Sequence, residues 1–240
     1  MDIVRALLRG YPFRDLNPVE VEGLAVHAAS RELSPGAHVY RAGDRATELH
    51  VVAGGQLKEY GLSRDGSELI FEFFGPGATF GEPGLFVPER TRVVSVVAMV
   101  PSVVIGVPRE ALVRFLFEHP PAMMRVLEGL SSEVRRAADD QVGLAYDPVR
   151  DRVVAKLLEL AEAHGERANG GVVIAVHLSQ TELAAAVGAS RARVNRTLAD
   201  LAAAGALTLG PGRRLTLDVP GLRRIVVREP PLSRLRNRPD

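Results

Sequence analysis

From about Leu33 to Val107 the chain runs in short apolar stretches, His38-Val39-Tyr40, Leu49 to Val52, Leu57 to Tyr60 and Leu69 to Phe73, separated by glycines at Gly36, Gly43, Gly54-Gly55, Gly66, Gly75, Gly77 and Gly81. Strand-length runs with turn residues at such spacing predict an antiparallel barrel or sandwich, and Asp65-Gly66 is a hairpin signal. Ahead of this region, residues 1–30 predict short helices around Phe13 and Leu16. After Pro120-Pro121 the period lengthens. Met123, Leu127, Leu130, Val134, Ala137, Gln141 and Leu144 follow one another by four and three, a heptad seam. Such a seam predicts two parallel helices packed as a dimer, with Leu127, Leu130, Val134, Ala137, Gln141 and Leu144 at the interface. A single amphipathic helix lying on its own barrel is the alternative. Asp147-Pro148 breaks this helix, and Val153, Val154, Leu157, Leu158 and Leu160 give the next one an apolar stripe. The polar stretch from Glu162 to Gly171 then reads as a linker to a strand over Val172 to Val176.

The segment Leu178 to Leu201 predicts two short helices joined by a tight turn. Ser179 and Glu182 stand at capping-box spacing, so the first helix starts there. Leu183 and Val187 face inward, and Gly188 supplies the left-handed turn that ends the helix. Ser190 caps the second helix, whose apolar face is Val194, Leu198 and Leu201. Its other face carries Arg191, Ala192, Arg193, Asn195 and Arg196. A guanidinium entering the major groove bonds guanine O6 and N7 together, so Arg191 and Arg196 are the expected base readers, with Ser179, Gln180 and Ser190 beside them. Leu207-Thr208-Leu209 and Leu215-Thr216-Leu217 alternate around Gly210-Pro211-Gly212, a hairpin wing tipped by Arg213 and Arg214. Together these parts make a winged helix-turn-helix.

Charge supports that reading. From Ser190 onward eleven arginines face four acidic residues, a net of +7. The whole chain carries +1, so residues 1–189 sum to −6. A positive field confined to the end that bears the motif suits phosphate neutralisation. With no cysteine, disulfides and thiolate-ligated clusters are excluded. The six histidines, His27, His38, His50, His119, His164 and His177, never fall three or four apart, so helical metal-ligand spacing is absent. No apolar run approaches the ~20 residues of a membrane helix, and the N-terminus lacks a signal-peptide layout, so a cytoplasmic location is expected. Asp139 and Asp140 are adjacent and diverge on a helix, a poor catalytic pair. Enzymatic activity is not expected.

Between two strand-like stretches lies Phe80-Gly81-Glu82-Pro83-Gly84-Leu85, followed by Arg90, Thr91 and Arg92. A glycine-rich turn with a nearby arginine can receive an anion, and Glu82 can accept from a sugar hydroxyl. In this order of parts the chain resembles the cyclic AMP receptor/fumarate-nitrate regulator (CRP/FNR) superfamily of bacterial transcription factors over nearly its whole length. The resemblance rests on Gly43-Asp44, Gly75-Pro76-Gly77, Phe80-Gly81-Glu82, His119-Pro120, the heptad helix, and Gly188-x-Ser190-Arg191-x-x-x-Asn195-Arg196. It implies that Gly81, Glu82 and Arg92 form a phosphate-binding cassette for a cyclic nucleotide, flanked by Pro83, Gly84 and Val93, with Arg136, Ala137 and Ala138 of the central helix facing the ligand. Pro83 stands where the family has leucine, Val93 where it has serine or threonine, and Ala137-Ala138 where cyclic-AMP-responsive members have Thr-Ser. Each lost hydroxyl contact removes about 1–3 kcal/mol, about tenfold to hundredfold in affinity. Arg136 would suit a more negative ligand such as a cyclic dinucleotide. Ala192 replaces the glutamate that many members carry in the recognition helix, which removes an acceptor for cytosine N4.

The sequence therefore predicts an α+β protein: an effector domain over residues 1–120 built as an antiparallel β-barrel or jelly roll, a dimerisation helix over 121–146, a winged helix-turn-helix over 147–228, and a basic tail over 229–240. The expected function is a homodimeric, sequence-specific transcription regulator of palindromic double-stranded DNA, with RNA polymerase as a further partner. Its effector is a small anion, cyclic AMP or another cyclic nucleotide, and no obligatory cofactor is expected. An effector-independent or cyclic-dinucleotide-responsive regulator of the same fold is one alternative. A nucleotide-binding module docking on a protein partner, with no DNA role, is the other.

Overall fold

The computed structural model describes residues 2–168, 170–174, 178–210 and 214–225. The chain divides into two compact units, Met1–Ser132 and Glu133–Asp240.

In the first unit, α1 (Ile3–Leu7) and α2 (Pro18–Ala25) precede strands β1 (Ala29–Leu33), β2 (His38–Tyr40), β3 (Glu48–Gly54), β4 (Leu57–Leu62), β5 (Glu68–Phe74), β6 (Thr79–Phe80), β7 (Ser95–Ala98) and β8 (Ser102–Pro108). Helix α3 (Glu82–Leu85) lies between β6 and β7, and α4 (Arg109–Glu118) leads into α5 (Pro120–Tyr146). The strands form two antiparallel sheets, ordered β1-β8-β3-β6 and β2-β7-β4-β5. Of the expected barrel or jelly roll, the unit therefore takes the jelly-roll-like form, two open sheets face to face. Alternation along β3 shows how it holds together. Leu49 and Val51 pack with Leu7, Leu24 and Leu112 of the helices and with Phe13 between α1 and α2, while Val52 packs with Leu57, Phe74 and Val96 of the opposite sheet. Gly66, at φ +82°, closes the turn between β4 and β5, as Asp65-Gly66 leads one to expect.

Two expectations for this unit need correction. Phe13 and Leu16 lie in turns between α1 and α2 rather than in helices, with Phe13 wholly buried. The strand region also begins earlier, at β1, whose residues are exposed except Leu33 and so carry no alternating signal.

The second unit holds the rest of α5, α6 (Val149–His164), β9 (Gly165–Ala168), β10 (Gly171–Ile174), α7 (Gln180–Ala186), α8 (Arg191–Ala203), β11 (Leu207–Leu209), β12 (Leu215–Leu217) and α9 (Val219–Ile225). Its sheet is antiparallel in the order β11-β12-β10-β9. The expected polar linker after α6 is partly the strand β9, whose four residues are all exposed and show no apolar alternation. Of the strand expected over Val172 to Val176, residues 175 and 176 lie outside the described residues. Val153, Val154, Leu157 and Leu160 of α6 are buried, as are Leu183, Val194, Leu198 and Leu201 of the helix-turn-helix.

Candidate functional site

The first site forms where β6 delivers the chain to Gly81. This residue takes φ +94°, which favours glycine, and a Cβ there would lie 2.6 Å from Nη1 of Arg92 and push the guanidinium aside. Gly84 is nearly as confined, since a Cβ would meet the Ala46 Cβ at 3.0 Å. Arg92 is fixed at its backbone by the Gly43-Asp44 turn: its N–H donates to the Asp44 carbonyl and its carbonyl accepts from the Gly43 N–H, both at 2.8 Å.

The Arg92 side chain is 4% exposed. Its Nη1 donates to the Gly81 carbonyl at 2.6 Å and its Nη2 to the Glu48 carbonyl, and the guanidinium sits 4.1 Å over the Tyr40 ring. Its Nε–H has no partner among the described residues. Burial lowers its pKa, opposed by Tyr40 and by the carboxylates of Glu82, Glu48 and Glu59. Two of five N–H donors are committed, so a buried cation keeps donors for an anion.

Beside it the interior is aromatic. The rings of Phe74 and Phe80 stack at 4.8 Å, His50 stacks on Phe80 at 5.1 Å, and Tyr40 lies 5.7 Å from His50. Burial foremost, then Arg92 and Arg31, pushes the His50 pKa down to about 3, so the imidazole is neutral, and its buried Nδ1 has no partner among the described residues. Sequence reading missed Tyr40, Glu48 and His50. A histidine and a tyrosine in apolar strand runs were the only signal, and nothing local revealed that they converge on Arg92. Glu82 and Pro83 are half-buried beside Gly81, whereas Val93 is 78% exposed. Arg136, Ala137 and Ala138 have exposed side chains on the part of α5 that belongs to the second unit.

The second site is the helix-turn-helix. Ser179 Oγ accepts from the Glu182 N–H at 3.1 Å, while Glu182 accepts from the Ser179 N–H at 2.8 Å, so the capping box opens α7. Gly188 at φ +57° turns the chain, and Ser190 Oγ accepts from the Arg193 N–H at 3.4 Å to cap α8. Burial of Val194, Thr197, Leu198 and Leu201 turns Arg191, Ala192, Arg193 and Arg196 outward, all exposed. Asn195 is half-buried, and its Oδ1 has no partner among the described residues. Gln180 is half-buried in the first turn of α7. Arg214 is exposed before β12, and Arg213 lies outside the described residues.

The helix α5 divides its apolar residues. Ala122 and Val126 are buried, and Met123 and Leu130 pack partly against the helical core of the first unit. Met123 and Leu130 keep part of their surface exposed. Leu127, Val134, Ala137, Gln141 and Leu144 are exposed. Among the described residues no helix is long and apolar enough to cross a membrane.

Comparison with known proteins matches the cyclic nucleotide-binding domain family over residues 30–119 and the Crp-like helix-turn-helix domain family over residues 151–225. The chain is 31% identical over 195 residues to the CRP-like cAMP-activated global transcriptional regulator of Mycobacterium tuberculosis, covering 79% of this chain and 86% of that protein. It is 33% identical to the cyclic AMP receptor protein of Thermus thermophilus, covering 85% and 92%. Among solved structures, the c-di-GMP responsive global regulator CLP of Xanthomonas campestris superposes with a TM-score of 0.69 at 27% identity, covering 84% of this chain and 99% of that one. FixK2 of Bradyrhizobium japonicum, at 21% identity and a TM-score of 0.75 over 85% and 99%, shares the fold.

Proposed function

The chain belongs to the CRP/FNR family of transcription regulators, and on that premise we propose that it acts as a homodimer on palindromic operators under the control of a small anionic effector, with cyclic AMP as the first ligand to test. The observation that carries the effector reading is Arg92: a buried guanidinium with uncommitted donors, against Gly81 and an aromatic interior. The phosphate would lie on Arg92, with Glu82 accepting from a ribose hydroxyl. The exposed Leu127, Val134 and Leu144 would be covered by the same face of a second copy, so that two recognition helices reach half-sites about one DNA turn apart. Arg191 and Arg196 would read guanines and Arg214 would contact phosphate.

One observation favours a second reading, an effector-independent regulator: Arg92 already engages two carbonyls, and Val93 is at the surface. Arg92→Gln separates the two. Under the effector reading it abolishes cyclic AMP binding and any gain in DNA affinity that the nucleotide brings; an effector-independent regulator binds its operator equally well with either side chain. Replacing Arg191 and Arg196 together by alanine tests the DNA role, because each bidentate guanine contact is worth about 1–3 kcal/mol. Undiminished selectivity in that double variant would move the function to protein docking.

A further inference from the structure

We infer that Arg152 is a positioning residue that pins the turn of the helix-turn-helix to the junction between α5 and α6. Its guanidinium spans three backbone carbonyls: Nη1 donates to Asp147 at 2.7 Å, Nε to Val187 at 2.9 Å and Nη2 to Gly188 at 3.2 Å. Asp147 is the last residue before Pro148, where α5 gives way to α6. Val187 and Gly188 form the end of α7 and the turn, where carbonyls have no helical partner and carry the negative end of the helix dipole. A planar fork holds its donors in fixed directions toward the three carbonyls, whereas a lysine ammonium is a compact charge on a flexible stem.

Gly188 lies two residues before Ser190, the cap of α8. The Asp147 carbonyl is therefore linked through one side chain to the turn that leads into the recognition helix, beside the packing of α6 on α8. Lys156, almost wholly buried one turn further along α6, ion-pairs with Glu159 at 2.8 Å and interacts electrostatically with Asp140 of α5, so the same junction is held from a second side. Arg152 sets where Arg191 and Arg196 stand.

The test uses the full chain with Arg152→Ala and Arg152→Lys, a duplex recovered by selection from a random pool, and a mixed-sequence duplex as the non-specific control. Both variants are expected to bind the selected duplex about tenfold more weakly, within the usual range of coupling between sites. Non-specific affinity, set by phosphate neutralisation, is expected to stay unchanged. The Ala189 amide, which donates to the Ala184 carbonyl in the turn, is expected to exchange faster in both variants while the amides of Leu198 and Leu201 keep their protection. Wild-type specific affinity in Arg152→Lys would overturn the inference, as would loss of protection spread evenly over α6, α7 and α8. The binding readout rests on the DNA reading. If the unaltered protein bound no duplex, that reading would fail, and unchanged exchange at Ala189 in the variants would separately refute the role of Arg152.

Discussion

Gly81 and His50 show how single residues in the interior of the first unit set its chemistry. Gly81→Ala places a methyl against the Arg92 guanidinium in a backbone region that side chains avoid. It should lower stability by about 1–3 kcal/mol and weaken nucleotide binding with it, read by urea titration and calorimetry. His50 gives a pH signature. Its folded pKa is near 3 and its unfolded value near 6.5, so the unfolded chain binds the extra proton between those values. Stability from this group is complete above about pH 6.5 and falls as the pH drops toward 3. Between pH 7.5 and 5 the loss from this group should be about 2 kcal/mol, so the slope should be shallower by that amount in His50→Phe when both are unfolded in urea, His38 keeping a smaller slope of the same sign. At Ala192 the recognition helix lacks the family's glutamate, so a binding-site selection should recover guanines at the Arg191 and Arg196 positions with relaxed preference between them. Strict preference there would contradict the reading. The glycine and the arginine of the site were legible in sequence because a turn and a cation are local signals. Tyr40, Glu48 and His50 were not, because only the pairing of distant strands brings them to Arg92.

Elements were readable where their own chemistry marks them. The capping box at Ser179, the turn at Gly188 and the spacing of Val194, Leu198 and Leu201 each appear in the structure where the sequence placed them. Strands β1 and β9 escaped because their side chains are almost all exposed, so pairing with a neighbour rather than burial defines them. In α5 the heptad pattern merged two jobs: Met123 and Leu130 pack inward, while Leu127, Val134 and Leu144 stay exposed. Leu127→Glu together with Val134→Glu should therefore convert a dimer to a monomer in analytical ultracentrifugation with helix content unchanged, since neither residue supports the domain core. A persistent dimer would place the interface elsewhere. Leu201→Ala, by contrast, empties a wholly buried position between helices and should destabilise the second unit by about 2–5 kcal/mol in denaturant titration.

Over the whole molecule charge is segregated, with +7 from Ser190 onward against −6 before it. DNA affinity should therefore fall steeply with salt, by about 0.9 log units per tenfold salt for each phosphate contacted. The tail over residues 229–240 holds Arg234, Arg236 and Arg238 against Glu229 and Asp240, so it contributes only +1 of that excess. Its deletion should leave specific binding in place. The proposed regulator couples an anion held at Arg92 to operator recognition at Arg191 and Arg196 of the same chain. Fluorescence anisotropy of a selected operator with the purified protein, at fixed salt with and without cyclic AMP, tests this coupling most directly. The expected result is a gain of tenfold or more in operator affinity with the nucleotide, within the usual range of coupling between sites, that vanishes in Arg92→Gln. Tight, selective binding that ignores the nucleotide and is unchanged in Arg92→Gln would contradict it.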